Sequence, residues 1–231
     1  GSWTIGRDAD VMPHIDQATI ACAFHAGDPL VMKKTLALAK KHNVMVGAHP
    51  AYPDLVGFGR RSMNCSHDEI VAMVSYQLSA IDGMAKSQGV DLAYVKPHGA
   101  LYNDMMSKDS VRLAVMEAIA GYHRPVKLTL LATNEANSYR TEAKQLGIEL
   151  LFEAFADRCY DDDGKLLARS QPGAVHNREE MLAQVAQICR HGTVTSVSGK
   201  TLDLSPDTLC VHGDNDAGIS AIIDIRALIH A

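Results

Sequence analysis

Apolar runs without alternation recur along the chain, each stopped by a polar or flexible cluster and followed by a helical pattern. Ala18–Phe24 (ATIACAF) ends in His25-Ala26-Gly27-Asp28, and Val44–Ala48 (VMVGA) ends in His49-Pro50. Leu92–Val95 ends in Lys96-Pro97-His98-Gly99, Val126–Ala132 in Thr133-Asn134, and Ile148–Phe155 in Ala156-Asp157-Arg158. Thr208–Val211 ends in His212-Gly213-Asp214. Such runs are expected of strands buried on both faces. Six main strands are predicted, starting near 18, 44, 93, 127, 148 and 208. Helical spacing predicts helices from Pro29 to His42, from Ser66 to near Gly89, from about Ser107 to Ala120, from after Asn134 to Gly147, and from about Asn177 to His191, with a last helix closing the chain. Ser66 and Glu69 have the capping-box spacing. Thr193–Ser198 and Thr201–Leu204 read as a hairpin turning at Gly199-Lys200. Strand, loop and helix in repetition indicate a parallel sheet covered by helices, within one domain spanning residues 1–231.

In a parallel α/β barrel the strand ends share the face that holds the active site. Lys96, His98, Glu153 and Asp157 are the candidate catalytic groups. Lys96 and His98 flank Pro97, which stiffens the strand exit, and an imidazole exchanges protons near neutral pH. By alternation Glu153 shares a side with Leu151, so it is a candidate buried acid or base, or the partner of Arg158 or Lys96 in an ion pair. His25, Asp28, His49, Arg158, His212 and Asp214 stand at other strand ends as candidate substrate-binding groups. Tyr102 and Asn103 follow the Lys-Pro-His-Gly turn and join that set. Two long loops add Arg60 and Arg169, the first (residues 51–64) built like a lid with Gly57 and Gly59 around Phe58. His25 or His212 also fits a purely orienting role.

Composition narrows the classes. The chain has 231 residues, 47% hydrophobic and 21% charged, with net charge −5, and carries none of the basic footprint of a nucleic-acid binder. No apolar run approaches the ~18 residues of a membrane span. Five cysteines without CxxC spacing fit reduced thiols and a cytoplasmic location. Gly199-Lys200-Thr201 ends like a phosphate-binding loop, but Val194 stands where the first glycine belongs. His25, His49 and a carboxylate are zinc-compatible ligands, yet the expectation is no tightly bound metal.

ACAFHAGD (Ala21–Asp28), VGAHPAYPD (Val46–Asp54), GFGRR (Gly57–Arg61), VKPHGALYN (Val95–Asn103), FEAFADRCY (Phe152–Tyr160), RSQPGA (Arg169–Ala174) and VHGDN (Val211–Asn215) resemble, in order along nearly the whole chain, the LamB/YcsF family. The resemblance implies a seven-stranded β/α barrel of the glycoside hydrolase/deacetylase type. Its first strand carries an Asn/Asp-x-Asp-x-Gly-Glu segment, and that strand is expected to be missing from this chain. It further implies ATP-dependent cleavage of the lactam of 5-oxo-L-proline to L-glutamate, with ATP and magnesium and with separate B and C subunits as partners. Ala23 and Cys159 replace glycines common in the family. The competing readings are a metal-dependent, deacetylase-like hydrolase and a non-catalytic substrate-binding subunit.

Overall fold

The structure is a computed structural model that describes residues 7–212 and 216–230, so Asp214 lies outside the described residues. The chain divides into two compact units, Gly1–Leu130 with Arg140–Leu150, and Leu131–Tyr139 with Leu151–Ala231.

In the first unit, α1 (Asp8–Val11) and a 3-10 turn (Met12–His14) precede β1 (Gln17–Ala21), α2 (Pro29–His42), β2 (Met45–His49) and α3 (His67–Ser87). Then come β3 (Leu92–Val95), α4 (Gly99–Ser107), α5 (Asp109–Ala120) and β4 (Lys127–Leu131). β1, β2, β3 and β4 pair in that order, all parallel, with Gln17 to Ala21 opposite Met45 to His49. The register shifts between Val46 and Gly47, where a side chain on Gly47 would collide with the Tyr94 ring.

The helices begin where their sequences satisfy free backbone donors. Asp28 accepts from the amides of Leu30 (2.9 Å) and Val31 (3.0 Å), with Pro29 next to it needing no partner. Ser66 and Glu69 form the expected reciprocal capping box. Ile70, Val74, Leu78, Ile81 and Ala85 give α3 a buried stripe at three- and four-residue spacing.

The sequence predicts a helix from about Ser107, whereas α4 already starts at Gly99 and α5 follows at Asp109. Gly99 (φ +55°) serves close approach rather than a turn away from helix. The Gly59 carbonyl occupies the space a side chain on Gly99 would need, and Ala100 donates to that carbonyl at 2.9 Å.

After α6 (Ala136–Gln145) the second unit contains β5 (Leu150–Phe155), α7 (Arg178–His191), the antiparallel hairpin β6 (Thr193–Thr195) and β7 (Thr201–Asp203), β8 (Thr208–Cys210) and α8 (Asp216–Ile229). β5 and β8 are parallel, Glu153 facing Thr208 and Phe155 facing Cys210. Gly199 turns the hairpin at φ +88°, so Gly199-Lys200-Thr201 is no phosphate loop. Ala156, Met181, Val185, Ala221 and Ile225 form a buried cluster. Among the described residues no helix is long and apolar enough to cross a membrane, and the five cysteines are free thiols.

Candidate functional sites

The first unit gathers His25, His49 and His98, which follow β1, end β2 and cap α4, so that one ring nitrogen of each lies within 4.8 Å of the others. His25 and His98 stack at 3.8 Å between ring centres, nearly parallel at 6°. His49 meets His98 edge-on. His98 Nδ1 and His49 Nε2 are 3.0 Å apart. The outer nitrogens face backbone carbonyls, His49 Nδ1 that of Lys96 (2.5 Å) and His98 Nε2 that of Phe58 (2.9 Å). A carbonyl only accepts, so both outer nitrogens carry hydrogen. His25 is 2% exposed and its Nδ1 has no hydrogen-bond partner.

Charge around the cluster is positive. Burial, then His98 and Arg60, push the His25 pKa down to about 2. Burial, then His98, His25 and Lys96, hold His49 well below the ordinary imidazole range. Both rings are therefore neutral at physiological pH. Lys96 is buried, its ammonium 6.0 Å from the centre of the buried Tyr102 ring. Nearby Cys22 is inert, because burial pushes its thiol up to about 12.

The loop of residues 51–64 is tied down at many points. Asp54 accepts from Gly57 N (2.9 Å) and from Arg61 Nε (3.0 Å), and these contacts draw its pKa down to about 2. Asp104 on α4 accepts from Tyr52 (3.0 Å) and Ser62 (3.1 Å). Phe58 (φ +54°) and Gly59 (φ +66°) turn the loop against His25 and His98, where a side chain on Gly59 would sit 2.9 Å from atoms of both. Of the two loop arginines, Arg61 is committed to Asp54, while exposed Arg60 lies over the Phe58 ring at 5.0 Å.

The second unit pairs a carboxylate with an imidazole. Asp157, fully buried just beyond β5, accepts from His212 Nδ1 at 2.9 Å and 3.1 Å. Because an ionised carboxylate only accepts, His212 Nδ1 carries the proton and, in the neutral ring, Nε2 is left with a lone pair. Burial raises the Asp157 pKa, but the His212 hydrogen bond, the His212 charge and Arg169 outweigh it and leave the pKa below its ordinary value. The His212 ring stacks on Phe155, and its side chain keeps 27% exposure. Glu153 is buried, 1% exposed, as the strand pattern predicts.

Some predicted binding residues have structural work. Asp28 caps α2. Arg158 directs its guanidinium at the carbonyls of Ala174 and Leu167, pinning the loop that carries Arg169. Asn103 is exposed on α4.

Two buried glutamines escaped the sequence reading. Gln77 on α3 holds Ala51 from both sides, accepting from its amide and donating to its carbonyl at 2.9 Å each. Gln184 on α7 donates to the carbonyls of Phe155 (2.7 Å) and Arg158 (2.9 Å), fixing the turn that presents Asp157. The available signal was their place on apolar faces, Gln77 between Val74 and Ile81, and Gln184 between Met181 and Ile188.

The LamB/YcsF family matches this chain over residues 1–231. A protein of Pseudomonas fluorescens, named as the A-subunit of 5-oxoprolinase, is 48% identical over 231 residues, covering 100% of this chain and 92% of that protein. A Vibrio campbellii protein of the same name is 50% identical over 231 residues, 100% of this chain and 91% of its own length. A crystal structure from Thermus thermophilus, described as a lactam utilization protein, superposes with a TM-score of 0.90 at 34% identity, covering 100% of this chain and 91% of the other.

Proposed function

This chain belongs to the LamB/YcsF family, and on that premise we propose that it is the component of a 5-oxoprolinase that acts in opening the lactam of 5-oxo-L-proline to L-glutamate. The observation that carries this reading is full-length identity near one half to proteins named as 5-oxoprolinase A-subunits. The neighbouring structure described as a lactam utilization protein supports the same substrate class.

Ring opening breaks the C–N bond of an unstrained five-membered amide, and water supplies the hydroxyl on carbon and the proton on nitrogen. Without coupling the equilibrium disfavours opening, so the reading includes ATP with magnesium as co-substrate. It also includes B and C subunits as partners, supported by the relatives' being named as one subunit of a larger enzyme. The chain is read as one β/α barrel domain with seven strands in the cytoplasm. The parallel pairings within each unit support the barrel.

The chemical roles follow from neighbours. His212 Nε2 takes the proton of the attacking water, and Asp157 holds the ring in that tautomer and stabilises the imidazolium. Arg169 and Lys96 supply positive charge for carboxylate or phosphoryl oxygens, and Glu153 is a further proton-carrying group. His49 ends β2, Arg60 lies in the loop that follows it, and Tyr102 lies on α4 just after His98.

The test is glutamate release by the full-length protein reconstituted with its B and C partners, with and without ATP. ATP-dependent release that is lost in His212→Asn supports the reading. Binding of 5-oxoproline without release in any combination would instead favour a substrate-holding role.

A further inference from the structure

We propose that His25, His49 and His98 form a binding site for one divalent cation of the zinc class. The backbone sets the tautomers. The Lys96 and Phe58 carbonyls keep hydrogen on the outer nitrogens of His49 and His98, so in the neutral rings His49 Nε2 and His98 Nδ1 turn lone pairs toward each other across 3.0 Å. Two lone pairs at that distance repel unless a cation lies between them. A proton satisfies two nitrogens, but the cluster has a third. His25 is buried with its Nδ1 lacking a hydrogen-bond partner, and one of its ring nitrogens lies within 4.8 Å of a ring nitrogen of each of the other two.

A metal ion accommodates all three. Three histidines with open positions are a recurrent zinc arrangement, and ligand histidines usually donate the far N–H to a backbone carbonyl or carboxylate, as His49 and His98 do. Zinc–nitrogen bonds of roughly 2.0–2.1 Å set ligand nitrogens closer together than the widest spacing here. The remaining distance belongs to His25, whose ring leaves its stack on His98 as the ion binds. Lys96 and Arg60 add positive charge beside the rings, which favours an anion in the open position. If the lactam reading holds, that position suits the substrate's carboxylate or its carbonyl oxygen, and this second step rests on that reading.

The binding experiment needs neither partners nor turnover, so it stands or falls separately from the lactam reading. Full-length chain is stripped with a chelator, then titrated with cobalt(II) and followed by visible absorption and calorimetry. The expected result is one cobalt per chain, displaced by zinc, with a rise in melting temperature on loading. His25→Ala and His98→Asn are expected to weaken binding by at least about a hundredfold, the upper end of what outer-shell changes cost. His212→Asn should bind as the parent does. Circular dichroism checks that each variant folds. Should a variant fail to fold, nitrogen NMR of the parent decides, since coordination shifts the His25, His49 and His98 resonances together. Absence of stoichiometric binding, binding untouched by both substitutions, or NMR showing only a proton shared between His49 and His98 would overturn the proposal.

Discussion

The three imidazoles of the first unit and the single imidazole of the second are the same side chain put to different uses. His25, His49 and His98 meet backbone carbonyls, aromatic rings and the cations Lys96 and Arg60, and His25 and His49 are held neutral there. His212 instead donates to a buried carboxylate. One environment suits lone pairs offered to a cation, the other a proton taken and returned. Both are braced alike, by a buried glutamine reaching from a helix to the loop after a strand: Gln77 to Ala51, and Gln184 to Phe155 and Arg158. The brace is generic, and the neighbour of the ring decides the chemistry.

The largest effect that tests this contrast is expected from Asp157→Asn. The amide keeps the size of the side chain but offers a donor to His212 Nδ1, which selects the wrong tautomer. Turnover in the reconstituted complex should fall about a thousandfold or more, with KM little changed. A loss in KM alone would mean that the pair only binds.

Lys96→Met keeps the length of the side chain and removes its charge. If that charge faces the reacting centre, kcat falls about a hundredfold, or roughly 2.7 kcal/mol. Unchanged turnover would confine Lys96 to shaping the His49 and Tyr102 surroundings.

Gln77→Leu and Gln184→Leu compare the two braces. Each strands buried backbone groups, which costs roughly 1–3 kcal/mol in urea unfolding. Gln184→Leu should also lower turnover by displacing Asp157. Equal stability in parent and variants would show that water replaces the amide.

Acid sensitivity separates the two regions through Asp157. Its folded pKa lies below the ordinary carboxylate value, so its contribution is present above that ordinary value and is lost as pH falls through the lowered one. Stability of Asp157→Asn should therefore fall less steeply with acid than that of the parent. Parallel acid curves would remove this carboxylate from the account.

The smallest change expected is a gain. Ala23, in the loop that carries His25, sits at φ +73°, where a β-carbon is strained, and its amide is committed to the Ala26 carbonyl at 2.9 Å. Ala23→Gly should stabilise the protein by about 1 kcal/mol, the relief of strain being partly offset by unfolded-chain entropy. Reduced melting temperature would show the strain to be absent.

Much of this was legible in the chain. The apolar runs located the six parallel strands among the described residues, Pro29 and Ser66-x-x-Glu69 fixed the starts of α2 and α3, and the strand-end positions brought the His25, His49 and His98 rings together and set Asp157 beside His212. These depend on local terms: period of burial, caps and turns. The start of α4 at Gly99 was not legible, because the glycine answers to the Gly59 carbonyl, about forty residues away in the chain. Nor was the division of labour among residues of one type. Asp28 caps a helix while Asp157 holds a histidine, and Arg61 is bound to Asp54 while Arg60 lies over Phe58. Sequence spacing determines which groups reach a strand end. Only the tertiary structure decides which acceptor, cation or lone pair each group meets, because tautomer, charge and pKa are set by atoms within a few ångströms, whatever their distance along the chain.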